Sequence, residues 1–253
     1  MSTSATLNPR KRALAIAANR LVYRLSTRWM LAFSVVYGLY VGLPFLAPVL
    51  VRLGWRGGAD AIYLAYSFVC HQMPQRSFFL FGPRVMYPLE QIQDVWQDTI
   101  NPMVLRQYVG EPALGWKVAW SDRMVSMYTS VLVFAWLWYP LRKKIKPLPL
   151  WGFFLLSLPM GIDGGTHLVS DFYGIGQGFR YTNGWLAALT NNAFSPAFYV
   201  GDAVGSFNFW MRLITGILFG LGAVWFGFPY VEEAFQGAAT SIREKFQRAG
   251  LPL

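Results

Sequence analysis

Apolar residues in this chain gather in long blocks rather than in short alternating runs. Four blocks are long enough to cross a hydrocarbon core of about 30 Å as helices, which takes roughly 20 residues. They cover about 29–51, 118–141, 147–169 and 207–230. The first carries no charge from Trp29 to Val51, and Pro44 and Pro48 predict a kink in its far half. It is too long for a cleavable signal peptide and no small-residue cleavage site follows, so it reads as a retained anchor. A fifth apolar stretch, Ala61 to Cys70, is short and runs at once into His71, Gln72, Pro74, Gln75 and Arg76. That length predicts a re-entrant or interfacial outer segment over about 61–82 rather than a span.

Helical periodicity supplies the remaining pieces. Over 12–28, Arg20, Arg24 and Arg28 share one face opposite Leu14, Leu21 and Leu25, the pattern of a surface-lying helix. Over 88–108, Leu89, Ile92, Trp96 and Ile100 form one stripe and Glu90, Asp94 and Asp98 another, predicting a single outer helix. Over 231–247, Val231, Phe235, Ile242 and Phe246 line an amphipathic tail. The expected fold is all-α: a polytopic membrane protein of four transmembrane helices, with the outer segment and amphipathic terminal helices. Residues 1–28 form a basic cytoplasmic N-terminus, 29–230 one membrane domain with outer segments 83–117 and 170–206, and 231–253 a cytoplasmic tail. No internal repeat supports a transporter built from inverted halves.

Composition agrees. Of 253 residues, 55% are hydrophobic and 13% charged, where soluble domains carry about a quarter charged residues. The mean hydropathy is +0.34, which excludes an ordinary soluble enzyme and a disordered chain alike. The net charge of +10 suggests nucleic acid only until its placement is considered. Six basic residues and no acid precede Trp29, and Arg142, Lys143, Lys144 and Lys146 form a second cluster. Basic clusters flanking apolar blocks follow the positive-inside bias, and no base-reading module is present. If 61–82 crossed the bilayer, the 142–146 cluster would lie outside; if it dips and returns, that cluster and the basic tail (Arg243, Lys245, Arg248) lie inside. The expectation is therefore a multi-pass membrane protein with both termini cytoplasmic. Cys70, the single cysteine, permits neither an intrachain disulfide nor a multi-cysteine metal site.

Charged groups inside apolar blocks cost about 2.5–3.5 kcal/mol each at mid-membrane on insertion scales. In this topology they share one depth. Asp122 and Arg123 open the second span on its outer side, Asp163, Thr166 and His167 lie near the outer end of the third, and Arg212 opens the fourth. Cys70, His71, Gln72 and Arg76 belong to the outer segment. Asp163 and His167 are four apart on one helical face, a spacing that suits a carboxylate orienting an imidazole or two ligands of one metal. A divalent metal held by Cys70, His71, Asp163 and His167 is one reading; an anion such as a lipid phosphate held by Arg123 and Arg212 is another. The plain alternative is mutual neutralisation, Asp122 and Arg123 pairing with Arg212 and Asp163. Gly174 to Gly205, with Arg180, Trp185, Asn191, Asn192 and Asp202, reads as an ordered loop over this layer.

The run Cys70-His71-Gln72-x-Pro74-x-Arg76-Ser77-Phe78 followed by Phe81-Gly82 resembles the signature of a prokaryotic membrane family, domain of unknown function 2085. Pro159-Met160-x-Ile162-Asp163-Gly164-x-Thr166 is similar to its second motif and Arg212-x-x-Thr215-Gly216 to its third, so the resemblance covers about 60–230. Members commonly carry a Cys-x-x-Cys, which with Cys-His implies a metal site. The corresponding stretch here is Ser121-Asp122-Arg123-Met124, and His167 replaces the usual glutamine. The resemblance implies an architecture and a layer of site residues but no reaction. Two functions remain: a protein with an outer-leaflet polar pocket for a ligand or metal, or a non-catalytic subunit or assembly factor docking on membrane-protein partners.

Overall fold

The computed structural model describes residues 9–253; the first eight residues of the expected N-terminal segment lie outside it. Helix α1 (Pro9–Thr27) leads into α2 (Trp29–Arg52), with Arg28 as the break between them. Helix α3 (Arg56–Ser67) and a 3-10 turn, Pro74–Arg76, lead to β1 (Ser77–Leu80). Short helices α4 (Leu89–Val95) and α5 (Pro102–Leu105) precede β2 (Gly110–Glu111) and β3 (Gly115–Ser121). Long helices α6 (Asp122–Leu141) and α7 (Leu150–Asp171) follow. Then come α8 (Phe179–Thr182), α9 (Gly184–Leu189), α10 (Pro196–Tyr199) and the 42-residue α11 (Phe207–Arg248).

Among the described residues, three helices are long and apolar enough to cross a membrane: α2, α6 and α11. Helix α7 has the length, at 22 residues, but Asp163, Thr166 and His167 reduce its apolarity. Helix α11 packs against both α6 and α7. Its approach to α6 depends on glycine. A Cβ on Gly216 would lie 2.2 Å from Ser126 Oγ, and one on Gly220 would lie 2.1 Å from Ser130 Oγ. Small residues four apart on both helices thus bring the backbones together, the small-xxx-small geometry of membrane interfaces.

The two ends of the long helices differ. At one end Trp29 stacks on Phe235 with centroids 5.7 Å apart and packs edge-on against Phe228 and tilted against Trp138. Arg142 pairs with Glu232 at 3.2 Å, and the Trp29 indole N–H donates to the same carboxylate. At the other end, residues 68–121 and 172–206 form a cap. Its strands make an antiparallel sheet in the order β1-β3-β2. Gly115 turns the chain into β3 at φ +79°, where a Cβ would meet Leu80 O at 2.3 Å, so no larger residue fits there. Met73, Phe79, Tyr87, Leu89, Ile92, Leu105, Tyr108, Leu114 and Ile175 form the cap's own core. A second core joins α2 and α3 to β3 through Val41, Tyr63, Tyr66, Cys70 and Trp120.

The molecule is mostly helical, with four departures from the sequence reading. Residues 118–121 are strand, not the start of a span; in Trp116-Lys117-Val118-Ala119-Trp120 the aromatic and β-branched residues pair with β1 instead. The 88–108 helix is two short ones, because Pro102 holds the residue before it extended (Asn101, ψ 117°) and Asn101 caps a new helix through Met103 N. The second half of 61–82 is a 3-10 turn and a strand. The 231–247 tail is not separate: α11 runs unbroken through Pro229 to Arg248. At 1.5 Å per residue its length is about 63 Å, roughly twice a hydrocarbon core. Helix α1 packs along this extension, burying Ser26 with Ala239, Ile242 and Phe246.

Candidate functional site

The cap-side ends of α6, α7 and α11 each carry charge, and the folded chain brings these charges together. Asp122, fully buried, receives Arg212 Nε at 2.8 Å on Oδ1 and Arg212 Nη2 at 2.8 Å on Oδ2. Arg212 also donates from Nη1 to Asp202 Oδ1 and from Nη2 to the Asp202 carbonyl, both at 2.6 Å. The other Asp202 oxygen takes Arg76 Nε at 2.8 Å, and Arg76 forks onto Asp171 at 2.6 and 2.8 Å. On α7, Asp163 receives Arg123 Nη2 at 2.6 Å and Arg180 Nη2 at 2.5 Å. Four arginines and four aspartates are therefore spent on one another.

Short elements hold the cap half of this network. Ser77 Oγ donates to Met73 O at 2.8 Å, closing the turn that aims Arg76. Ser206 caps α11 by accepting from Phe209 N, fixing the helix start near Arg212. Asn208, fully buried, donates to Arg180 O at 2.6 Å and Gly201 O at 2.8 Å, and Asn183 donates to Tyr199 O at 2.7 Å. The 172–206 segment is thus sewn to α11 by side-chain amides. Burial acts to raise the Asp202 carboxyl, but Arg76 and Arg212 outweigh it and hold it well below the usual carboxylate range. The same carboxylates hold Arg76 above its ordinary value against the effect of burial.

His167 does not pair simply with Asp163. The two stand 3.9 Å apart, while Arg180 Nη2 lies 3.2 Å from His167 Nε2. A guanidinium only donates, so His167 is the neutral imidazole accepting at Nε2. Among the described residues its Nδ1 proton has no partner, and neither has Arg180 Nε. Thr166 Oγ1 donates back to Ile162 O at 2.8 Å.

Cys70 and Gln72 face another way. Gln72 sits at φ +54°, held there by amide bonds to Tyr63 O and Ala119 O at 2.9 and 3.1 Å. The turn sends Cys70 into the apolar core beside Trp120, where Sγ accepts from Gln72 N and Ser121 N. His71 is exposed, with Nδ1 accepting from Met73 N at 3.2 Å. Among the described residues no three His, Cys, Asp or Glu side chains come together as metal ligands. Both Asp163 oxygens already face guanidinium groups, so the surroundings disfavour another cation. The residues present do not fit the metal that the Cys-His resemblance implies.

Sequence reasoning named Arg76, Asp122, Arg123, Asp163, His167 and Arg212 and missed the functional weight of Asp171, Arg180, Asp202 and Asn208. It also missed Lys117, which is fully buried on β3 with Nζ donating to Arg106 O at 2.6 Å and Gln72 O at 2.9 Å. Burial, assisted by Arg106, pushes Lys117 down to about 7 from its ordinary 10.5. A lysine depressed by folding penalises the folded state below that value and ceases to above the unfolded one. The unfolding midpoint should therefore rise from pH 7 toward pH 10, and Lys117→Met should flatten that rise; thermal melts at pH 6, 8 and 9.5 measure both. A flat wild-type profile would contradict the assignment.

A family described as "Predicted membrane protein (DUF2085)" matches residues 113–226, a stretch containing the whole charge layer except Arg76. An uncharacterized protein of Methanocaldococcus jannaschii is 30% identical over 157 residues, 58% of this chain and 76% of that protein. No solved structure matches. The chain belongs to this family of predicted membrane proteins, domain of unknown function 2085.

Proposed function

We propose that this is a four-span protein of a prokaryotic cytoplasmic membrane, both termini inside, acting as a non-catalytic subunit or assembly factor. Its buried charge layer clamps the outer cap onto the spans. One observation carries this reading: the four arginines and four aspartates of the layer are consumed by each other. Every carboxylate oxygen of the layer accepts from a guanidinium group, and the single cysteine is buried in the apolar core.

The charge distribution supports the orientation. Thirteen basic and three acidic residues lie before Trp29, between Leu141 and Leu150, or after Tyr230, and the rest of the chain holds nine of each. The entire net charge of +10 thus belongs to the end carrying the Trp29 cluster, as the positive-inside bias requires of a cytoplasmic face. Helix α7 then returns the chain outward as the third of the four spans, its polar groups compensated inside the bundle.

In a Cys70→Ala background, Thr99→Cys should react with an impermeant maleimide in intact cells and Lys144→Cys only after lysis. The reverse pattern would overturn the orientation. Asp163→Asn tests the clamp: loss of cellular function should follow loss of thermal stability. Function lost with the unfolding midpoint unchanged would instead assign Asp163 a chemical role and defeat the non-catalytic reading.

A further inference from the structure

The charge layer is neutral as a whole but not locally. Asp163 alone faces two guanidinium groups, Arg123 at 2.6 Å and Arg180 at 2.5 Å. Arg76 and Arg212 lie instead among three aspartates, Asp122, Asp171 and Asp202. The α7–α8 side therefore carries one surplus positive charge and the other side one surplus negative charge. His167 does not correct this, being neutral and an acceptor toward Arg180.

The surplus lies beside a groove. Ile162 and Thr166 of α7, Phe179 and Arg180 of α8, and Gly184 and Trp185 of α9 line an open space of about 890 Å³. Its walls are apolar and exposed: Ile162 at 58%, Phe179 at 43% and Trp185 at 48%. Arg180 is the charged residue among them, 6% exposed, and its Nε has no hydrogen-bond partner among the described residues. An anion in the groove would lie against the side of the layer that carries the surplus positive charge. The apolar walls suit a chain and not a hydrated ion.

We propose that this groove binds an anionic amphiphile, its phosphate on Arg180 and its acyl chain along Ile162, Phe179 and Trp185. The binding goes beyond the clamp and leaves the clamp's eight charges in place. It supplies the one negative charge that the Asp163 side lacks.

Native mass spectrometry of the full chain, exchanged into detergent with defined lipid, tests this. The probes are phosphatidylglycerol, phosphatidylcholine and inorganic phosphate. The expected result is one retained phosphatidylglycerol per chain, preferred at least about tenfold over zwitterionic phosphatidylcholine. Gly184→Phe should abolish retention, because Gly184 lines the groove and a Cβ there meets open space, so the ring would occupy the space meant for the chain. Its unfolding midpoint in lipid-free detergent should match wild type. Arg180→Lys, which keeps the charge but loses the planar fork that suits a phosphate, should weaken the preference severalfold. Equal retention of the two lipids, or unchanged retention in Gly184→Phe, would overturn the proposal. So would inorganic phosphate competing as well as the lipid, since the apolar walls would then contribute nothing.

Discussion

Arg212→Met should lower the unfolding free energy by about 3–5 kcal/mol, the loss expected when one partner of a buried ion pair is removed and the other stays charged. Arg212 is 2% exposed, and its guanidinium serves Asp122 and Asp202 together. Its removal leaves Asp122 with the Arg123 backbone N–H and Asp202 with Arg76. Adding Asp122→Asn should recover about 1 kcal/mol or more, because the neutral amide can still accept from Arg123 N while the orphaned charge disappears. Arg212→Lys should fall between, since one ammonium cannot reproduce a planar fork bridging two carboxylates. Thermal unfolding in detergent followed by circular dichroism provides the comparison. A single variant within about 1 kcal/mol of wild type would mean that water already reaches the layer, and the clamp would lose its basis.

The pairing of Asp122 with Arg212 and of Arg123 with Asp163 was among the readings open to the sequence, because all four sit at the same ends of apolar blocks. Membrane insertion leaves few other places for their charge. Arg180, Asp171 and Asp202 were harder to weigh because they lie in segments read as loop, where a charge is ordinarily free to face water. Asn208 of α11 changes that by donating to the Arg180 and Gly201 carbonyls, while Asn183 ties Tyr199 within the same segment, and neither asparagine has a sequence pattern that announces it. A charge tally over everything except the three basic segments, nine positive and nine negative, was the available hint that charges at the cap end would be spent on one another.

Strand β3 was misread for a related reason. The run from Trp116 to Trp120 joins an apolar helix without a turn signal, and a short apolar segment has the same hydrophobicity whether it pairs or coils. The continuation of α11 past Tyr230 shows the opposite limit. Glu232 and Glu233 end its apolarity, but nothing in them breaks a helix, so the boundary in hydropathy is not one in structure. No metal-ligand cluster forms among the described residues, because Cys70 is buried beside Trp120 while its neighbour His71 is exposed, which residue spacing cannot reveal.

Gly220→Leu should be the most damaging single change outside the charge layer, because it acts on the spacing that lets the layer close. Even a Cβ at this position meets Ser130 Oγ at 2.1 Å, Val131 N at 3.0 Å and Met127 O at 3.1 Å. The hydroxyl can be removed, but the backbone atoms cannot yield, so a leucine must push α11 away from α6. Two turns earlier on the same helix Arg212 meets Asp122 at 2.8 Å, and a charged bond between buried groups weakens steeply with separation. The expected cost is the overpacking strain of about 1–3 kcal/mol together with part of the Arg212 effect. A graded series isolates the mechanism: Gly220→Ala should be clearly destabilising alone and mostly restored by Ser130→Gly, which removes the 2.1 Å contact and leaves only the tight backbone ones. Gly220→Leu should not be restored by Ser130→Gly. If Gly220→Ala melts like wild type, α6 and α11 are free to separate at this level, and the register of Asp122 against Arg212 must be set by the cap rather than by the helices beneath it.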